Sequence, residues 1–367
     1  MLKLTALNRL TRRPSRKRPA GTATPAQRAT PARRGRRSAT AAAIGGCALL
    51  LAGCGGKQNM LNDHSPQAHD IMLLWWWMLG AGAVVLLGAL AMLLIGYITR
   101  KRPGLPFFGT RESVPQIMVL VFGIAIPAVV LVVLFAVADV YLVGKTSPPS
   151  PKSTAMTIHV IGRQWWWEVD YPGTGVVTAN EIHIPTRTRI NVVATTGDVI
   201  HSFWVPSLNR KIDMIPGRLN RVLLYASNPG AYRGQCSQFC GLEHARMALW
   251  VFAQPKAQFE AWLHGQERLA AKPSTNAERL GEAYFLSDQC ASCHTIAGTP
   301  ARGDVGPNLT HVGSRATLAA LTIPNTPYWM SKWIANPQAI KPGVQMPDLG
   351  VPPAQIKDIV AYLESLK

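Results

Sequence analysis

Two long stretches without a charged residue constrain this chain more than any other feature. No Asp, Glu, Lys or Arg occurs between Asp70 and Arg100, or between Glu112 and Asp139. Each run exceeds the ~20 apolar residues that cross a hydrocarbon core. They predict a hairpin of transmembrane helices at about 71–99 and 113–143. Trp75, Trp76 and Trp77 open the first run, where amphipathic rings suit the headgroup level. Pro127 interrupts the second, which a membrane helix tolerates better than a soluble one. Arg100, Lys101, Arg102 and Arg111 outnumber Glu112 in the connector. The positive-inside rule makes that loop cytoplasmic and puts both hairpin ends, with everything after Lys145, outside. A soluble hairpin buried in a core is the alternative, and two uncharged runs of this length argue against it.

The formal charge of +19 first points to a nucleic-acid partner. Its distribution removes that reading. Twelve of the 38 basic residues lie between Lys3 and Arg37, ahead of the first acid at Asp63, and without them 26 basic residues face 19 acidic ones. The run from Ala41 to Gly53 is small and apolar, ends in Leu51-Ala52-Gly53, and is followed by Cys54. This is the pattern of a secretory signal peptide, expected to span residues 1–53 and to be removed with Cys47 inside it. With cysteine at the cut, the segment resembles a bacterial lipoprotein signal, which implies lipidation at Cys54. A plain signal with an incidental cysteine is the alternative. The mature chain would begin with a lipid-anchored hairpin, residues 54–145, in a bacterial inner (cell) membrane.

Beyond the Pro-rich stretch 147–152, residues 155–267 alternate β-rich stretches with Gly, Pro and Asn turns. The stretches are Thr157–Ile161, Trp165–Tyr171, Glu181–Ile184, Arg189–Thr195, Arg221–Tyr225 and Ala248–Phe252. Short strands at such spacing predict a β-sandwich or barrel, closed by a helix at Lys256–Gln266 with Phe259, Trp262 and Leu263 on one face. After a polar boundary at 268–276, residues 277–367 read as amphipathic helices at both ends, Ala277–Leu286 and Pro353–Leu366, with a Gly/Pro-rich middle.

Cys236, Cys240, His244 and Met247 lie within twelve residues. Two thiolates, an imidazole and a thioether are soft ligands that suit copper better than magnesium, calcium or manganese. A Cys236–Cys240 disulfide is the alternative in an exported domain, but it leaves His244 and Met247 without a purpose. A mononuclear copper carrier needs one cysteine, so a second points to thiolates bridging two coppers. That arrangement asks for a second histidine, and His201 is the candidate.

At these residues the chain resembles subunit II of the haem-copper cytochrome c oxidases, over roughly Ile71 to Leu263. The likeness includes Arg163-Gln164-Trp165-Trp166-Trp167, Asp213-Met214-Ile215-Pro216-Gly217-Arg218, and Gly234 through Met247. It implies a cupredoxin domain with a binuclear CuA centre. The ligands would be the side chains of His201, Cys236, Cys240, His244 and Met247 and the backbone carbonyl of Gln238. Trp165 would be the aromatic that receives electrons from cytochrome c, against the alternative of a core tryptophan. Gln238 stands where the family has Glu, keeping the carbonyl but losing the carboxylate that helps hold magnesium against subunit I. Magnesium is therefore left in question. The family's membrane glutamate, two turns before a proline, also has no counterpart, because Leu120 stands there and Glu112 lies farther out.

Cys290-Ala291-Ser292-Cys293-His294 is the C-x-x-C-H pattern of covalent c-type haem attachment. Gly281 and Phe285 precede it, Gly306-Pro307-Asn308-Leu309 follows, and Lys341 through Pro347 leads to a terminal helix bearing Tyr362. That order resembles class I cytochrome c over the whole of 277–367. The resemblance implies His294 and Met346 as axial ligands, with terminal helices crossing where Gly281 lets Phe285 and Tyr362 approach. Met330 is the rival sixth ligand. His64, His69, His159, His183, His264 and His311 lack partners at ligand spacing and read as surface or packing residues.

The expected fold is thus a transmembrane hairpin, an all-β cupredoxin domain and an all-α cytochrome c domain. Neither cofactor site has an evident substrate pocket or acid–base pair, which implies single-electron relay. The resemblance implies the subunit of a terminal oxidase through which electrons enter. They would pass from cytochrome c or another periplasmic or membrane-bound donor through haem c and CuA to subunit I, with subunit III as a further partner. Oxygen reduction there would be coupled to proton translocation. The small subunit of a CuA-containing nitric oxide reductase is the alternative.

Overall fold

The computed structural model describes residues 56–99, 113–287 and 289–367. The signal segment with Cys47 and Cys54, and the basic connector with Glu112, lie outside the described residues. An uncharged apolar run after Asp70, rich in Leu, Ala and Gly, forms most of α1 (Pro66–Thr99). Pro66 stands in its first turn, where its missing N–H costs nothing, and the Ser65 hydroxyl caps the helix by accepting the Ala68 N–H at 3.0 Å. The second apolar run is helical over 113–146, with α2 (Ile126–Ala136) at its middle. It loosens to π-helical geometry over Val119–Ala125, immediately before Pro127, where proline disrupts the regular hydrogen-bond ladder. Pro66–Ile98 and Gln116–Thr146 are both long and apolar enough to cross a membrane, and the protein itself covers neither. Apolar surface on this scale needs lipid or a partner to cover it.

Both hairpin ends away from the connector are tied to the β domain. The His64 N–H donates to the Ser207 carbonyl at 2.9 Å and the Ser227 N–H to the His64 carbonyl at 2.8 Å. Arg210 Nε donates to the Thr146 carbonyl at 3.0 Å. Lys145 pairs with Asp70 across the two helices at 3.2 Å. The β domain is therefore tied both to the chain just before the first helix and to the end of the second.

That domain is a sandwich of two five-stranded sheets. One has the order β3-β2-β1-β5-β8, the other β4-β10-β9-β6-β7. In chain order the strands are β1 (Met156–Arg163), β2 (Trp166–Tyr171), β3 (Val176–Ala179), β4 (Glu181–Pro185), β5 (Ile190–Thr196), β6 (His201–Trp204), β7 (Ile212–Met214), β8 (Asn220–Leu224), β9 (Gly230–Cys236) and β10 (Ala248–Gln254). Alternation along β1 and β2 turns Ile158, Val160, Trp167, Val169 and Tyr171 into the core. Helix α3 (Lys256–Gln266) closes one end with the predicted face, since Phe259 is buried and Trp262 and Leu263 pack on the same cluster. The strand expected to begin at Trp165 begins at Trp166, because the chain turns there.

The last domain has a second core, built between α4 (Asn276–Ser287), α5 (Pro327–Ala335) and α6 (Pro353–Ser365). Helices α4 and α6 cross where Gly281 meets the backbone of Asp358, and the Phe285 and Tyr362 rings meet edge to face at 6.2 Å. A Cβ on Gly281 would lie 2.0 Å from the Asp358 carbonyl oxygen. That contact is with backbone, which cannot swing aside. Gly281→Ala should therefore destabilise this domain by about 1–3 kcal/mol, the usual range for forced overpacking. Denaturant unfolding followed at this helical domain checks this, with the β-domain transition unmoved.

Candidate functional site

Four short-range ties bring the copper-ligand candidates together at one end of the sandwich. His201 opens β6, Cys236 ends β9, and these strands pair in the register Phe203 to Cys236. The Ser237 N–H donates to the Ser202 carbonyl at 3.0 Å, and the Cys236 N–H donates to the Met247 carbonyl at 2.9 Å, closing the loop on itself. His201 Nδ1 lies 3.7 Å from Cys236 Sγ. Cys240 Sγ lies 3.6 Å from His244 Nδ1 and 3.8 Å from Met247 Sδ. The Gln238 carbonyl is 3.1 Å from Cys236 Sγ, while its side chain is exposed. The ligand atoms of His201, Cys236 and Cys240 all lie within 4.8 Å of one another. Both cysteines are buried, free thiols in the structure.

A glycine makes the histidine position possible. A Cβ on Gly162 would come 2.8 Å from His201 Cδ2. The neighbouring ring atom, Nε2, bonds Asp198 Oδ1 at 2.8 Å, which orients the imidazole and leaves Nδ1 toward the sulfurs. Burial works against charge on both groups. Their mutual bond nevertheless raises His201 above the usual histidine range and holds Asp198 below the usual carboxylate range. Within the thiol pair, the hydrogen bond from Cys240 lowers Cys236, and the same bond pushes Cys240 up. Two neighbouring thiolates repel, so the second proton leaves easily only when a cation takes its place. This donor set and its charge fit a copper pair.

The other constellation lines a largely apolar cavity of about 210 Å³. Cys290, Cys293, His294 and Met346 all face it, and so does Met330, from the packed helix α5. His294 Nδ1 lies 2.8 Å from the Pro307 carbonyl, which fixes the tautomer and leaves Nε2 for a metal. Burial lowers the His294 pKa, favouring the neutral, ligating form. A Cβ on Gly306 would come 2.5 Å from His294 Cε1. Arg315, buried in the wall, donates Nη2 to the Asn308 carbonyl, but its Nε has no hydrogen-bond partner. Burial holds its pKa down at about 10. An unpaired guanidinium N–H in an apolar cavity fits a flat apolar ligand that carries carboxylates, as haem does.

The two sites meet at Trp165. Its indole N–H donates to the Cys240 carbonyl at 3.0 Å, its ring packs over Gly241, and it also lines the cavity that holds Cys290 and Met346. Sequence reasoning missed Lys341, Glu181 and Arg315. Lys341 sits in a Pro-Gly turn and Glu181 at a strand start, where a charge ordinarily reads as solvated. Yet Lys341 is 1% exposed, and burial pushes its pKa down to about 7.

Residues 175–253 match the family model described as cytochrome C oxidase subunit II, periplasmic domain, and residues 279–367 match the one described as cytochrome c. Cytochrome c oxidase subunit 2 of Alkalihalophilus pseudofirmus is 29% identical over 333 residues, covering 87% of this chain and 94% of that protein. The protein of the same name from Bacillus sp. strain PS3 is 30% identical over 267 residues, covering 69% of this chain and 72% of that one. Among solved structures, the periplasmic domain of subunit II of cytochrome oxidase from Bradyrhizobium japonicum shares 32% identity, covers 32% of this chain and 96% of that domain, and has a TM-score of 0.31.

The two glycine contacts separate the sites. Gly162→Ala should reduce copper content and leave the haem absorption intact, while Gly306→Ala should do the reverse; metal analysis beside a visible spectrum reads both. The raised His201 and Cys240 carry their protons to higher pH than usual. Copper uptake should therefore release protons, measurable with an indicator dye, and apparent affinity should fall as pH falls.

Proposed function

The chain belongs to the cytochrome c oxidase subunit 2 family and is a subunit through which electrons enter a haem-copper oxidase; we propose that it does so with a binuclear CuA centre and one covalently bound haem c. In this reading His201, Cys236, Cys240, His244, Met247 and the Gln238 carbonyl hold the copper pair. Cys290 and Cys293 form the thioethers, with His294 and Met346 as the axial ligands. When bound, the two groups supply one-electron storage at two points of a single chain. Trp165 lies between them as the aromatic bridge.

One observation supports this reading above the others. A single tryptophan both lines the cavity with Cys290 and Met346 and hydrogen-bonds the carbonyl of Cys240. The chain's residues provide a dry, rigid setting for charge transfer: His201, Cys236, Cys240 and Met247 are all buried. His201 is oriented by Asp198 and His294 by Pro307. A soft thioether on haem iron would favour the reduced state and raise the potential, which suits acceptance of an electron from an external donor. Met346 is preferred to Met330 because Met330 is part of the hydrophobic core on α5.

The membrane hairpin anchors both domains on the outer face of a bacterial cell membrane, with Cys54 as the lipid attachment point. Subunit I, and with it subunit III, are the partners in the membrane. Cytochrome c or a membrane-bound donor supplies electrons to the haem, and oxygen reduction in subunit I is coupled to proton translocation. Magnesium is not part of this proposal.

Purification of the oxidase through this chain should bring down a partner rich in membrane helices that carries haem; its absence refutes the subunit reading. The chain should show c-type absorption together with a mixed-valence binuclear copper EPR signal. A mononuclear copper signal refutes the copper assignment.

A further inference from the structure

Each of the two outer domains sends one buried charged side chain into the backbone of the other. From the β domain, Glu181, 4% exposed, accepts the N–H groups of Ala316 at 2.8 Å and Thr317 at 3.3 Å through Oε1. From the haem-attachment domain, Lys341 donates Nζ to the carbonyls of Trp165 at 2.8 Å, Arg246 at 2.9 Å and Ala319 at 3.2 Å. These three acceptors use every donor an ammonium has. Two belong to the β domain, one at the bridging tryptophan and one between His244 and Met247 in the copper loop. Arg246 Nη1 answers with a bond to the Ile340 carbonyl at 2.7 Å.

The contact is stiff on the Lys341 side. Gln338 donates to the carbonyls of Val344 at 2.8 Å and Met346 at 3.0 Å, and accepts the Gly343 N–H at 2.8 Å. Lys341 and Met346 thus move as one loop. Val344 packs on the β-domain core, and Gly343, at φ +84°, lies so close to Leu242 that a Cβ would reach its Cδ2 at 2.8 Å. Ala319, Ala320 and Leu321 all have positive φ, a costly backbone for non-glycine residues, and Lys341 bonds the first of them. A charge is buried in this way only where hydrogen bonds compensate its lost hydration. Glu243, buried in the copper loop, adds opposite charge near the ammonium.

We propose that Lys341 and Glu181 form a two-point clamp that holds the haem-attachment domain on the copper loop in one pose, with Lys341 as a positioning residue for electron transfer between the sites. The positioning role rests on the function proposed above; the clamp does not. A flexible tether alone would supply only a ~mM effective concentration and a search before each transfer. The clamp removes the search.

The test uses the oxidase complex with full-length chains, comparing wild type with Lys341→Met and Glu181→Ala. Glu181→Gln, which keeps an acceptor oxygen, is included in case a variant fails to fold. Hydrogen–deuterium exchange reads docking at Ala316, Thr317 and the 340–346 loop. Flash reduction of the haem, repeated at rising viscosity, reads transfer to copper. Lys341→Met and Glu181→Ala should speed exchange at least ~tenfold and make transfer roughly tenfold slower and viscosity-dependent, with both cofactor spectra unchanged. Glu181→Gln should fall between them and wild type. Wild-type exchange in the variants overturns the clamp. Faster exchange with unaltered transfer overturns the positioning role. Missing haem or copper spectra in wild type would count against the proposed function, and the exchange measurement would still decide the clamp.

Discussion

Two thiols held side by side in a dry loop set the terms for what surrounds them. Cys236 and Cys240 are almost fully buried; the bond from Cys240 lets Cys236 lose its proton, while Cys240 keeps its own until a cation takes its place. A site of that kind has to be built rigidly, because a loose loop would relieve the repulsion by moving apart. The sandwich supplies the rigidity through the pairing of β6 with β9 and the bond from Cys236 to the Met247 carbonyl. Gly162 supplies the space into which the His201 ring fits. Elsewhere in the domain, the core holds these strands in register.

The haem side is governed by close approach. At Gly281, Gly303 and Gly306 a Cβ would fall within 2.0 to 2.5 Å of the neighbouring chain or of the His294 ring. Those three positions let helix meet helix, the attachment turn meet the loop after it, and a ring meet backbone. Their shared consequence is a largely apolar cavity held by close backbone approaches, with Arg315 among its buried polar lining residues.

Local patterns were legible in the sequence because their chemistry is local. C-x-x-C-H and Cys-x-x-x-Cys-x-x-x-His-x-x-Met each lie within one loop, and the uncharged runs need only counting. His201 was reachable because two thiolates ask for a second imidazole. Four strands of the sandwich went unread for physical reasons. β3 and β7 are too short to show a period, β6 begins at a ligand, and β9 carries Gly230 and Gly234, a composition that reads as a turn. In fact Gly234 is needed because the Trp204 carbonyl would lie 2.8 Å from its Cβ. Lys341, Glu181 and Arg315 were hidden because burial of a charge depends on a partner more than a hundred residues away for the first two, and on an enclosed cavity for the third. No local pattern carries that information.

The contacts linking the two sites run mainly through carbonyls. Cys240 offers its carbonyl to Trp165 and Gln164, Gln238 to the Cys236 sulfur, and Trp165 and Arg246 to Lys341. A network that accepts at the backbone is indifferent to most side-chain changes along those loops and intolerant of a change in their length. Gln238 illustrates the point, since its side chain is exposed while its carbonyl faces sulfur. A change of its side chain alters the surface and leaves the carbonyl where it is. Extensive side-chain change along these loops is therefore compatible with an unchanged set of contacts between the sites. What the route demands is loop length, a few glycines, and two charges buried where each finds the backbone of the other domain.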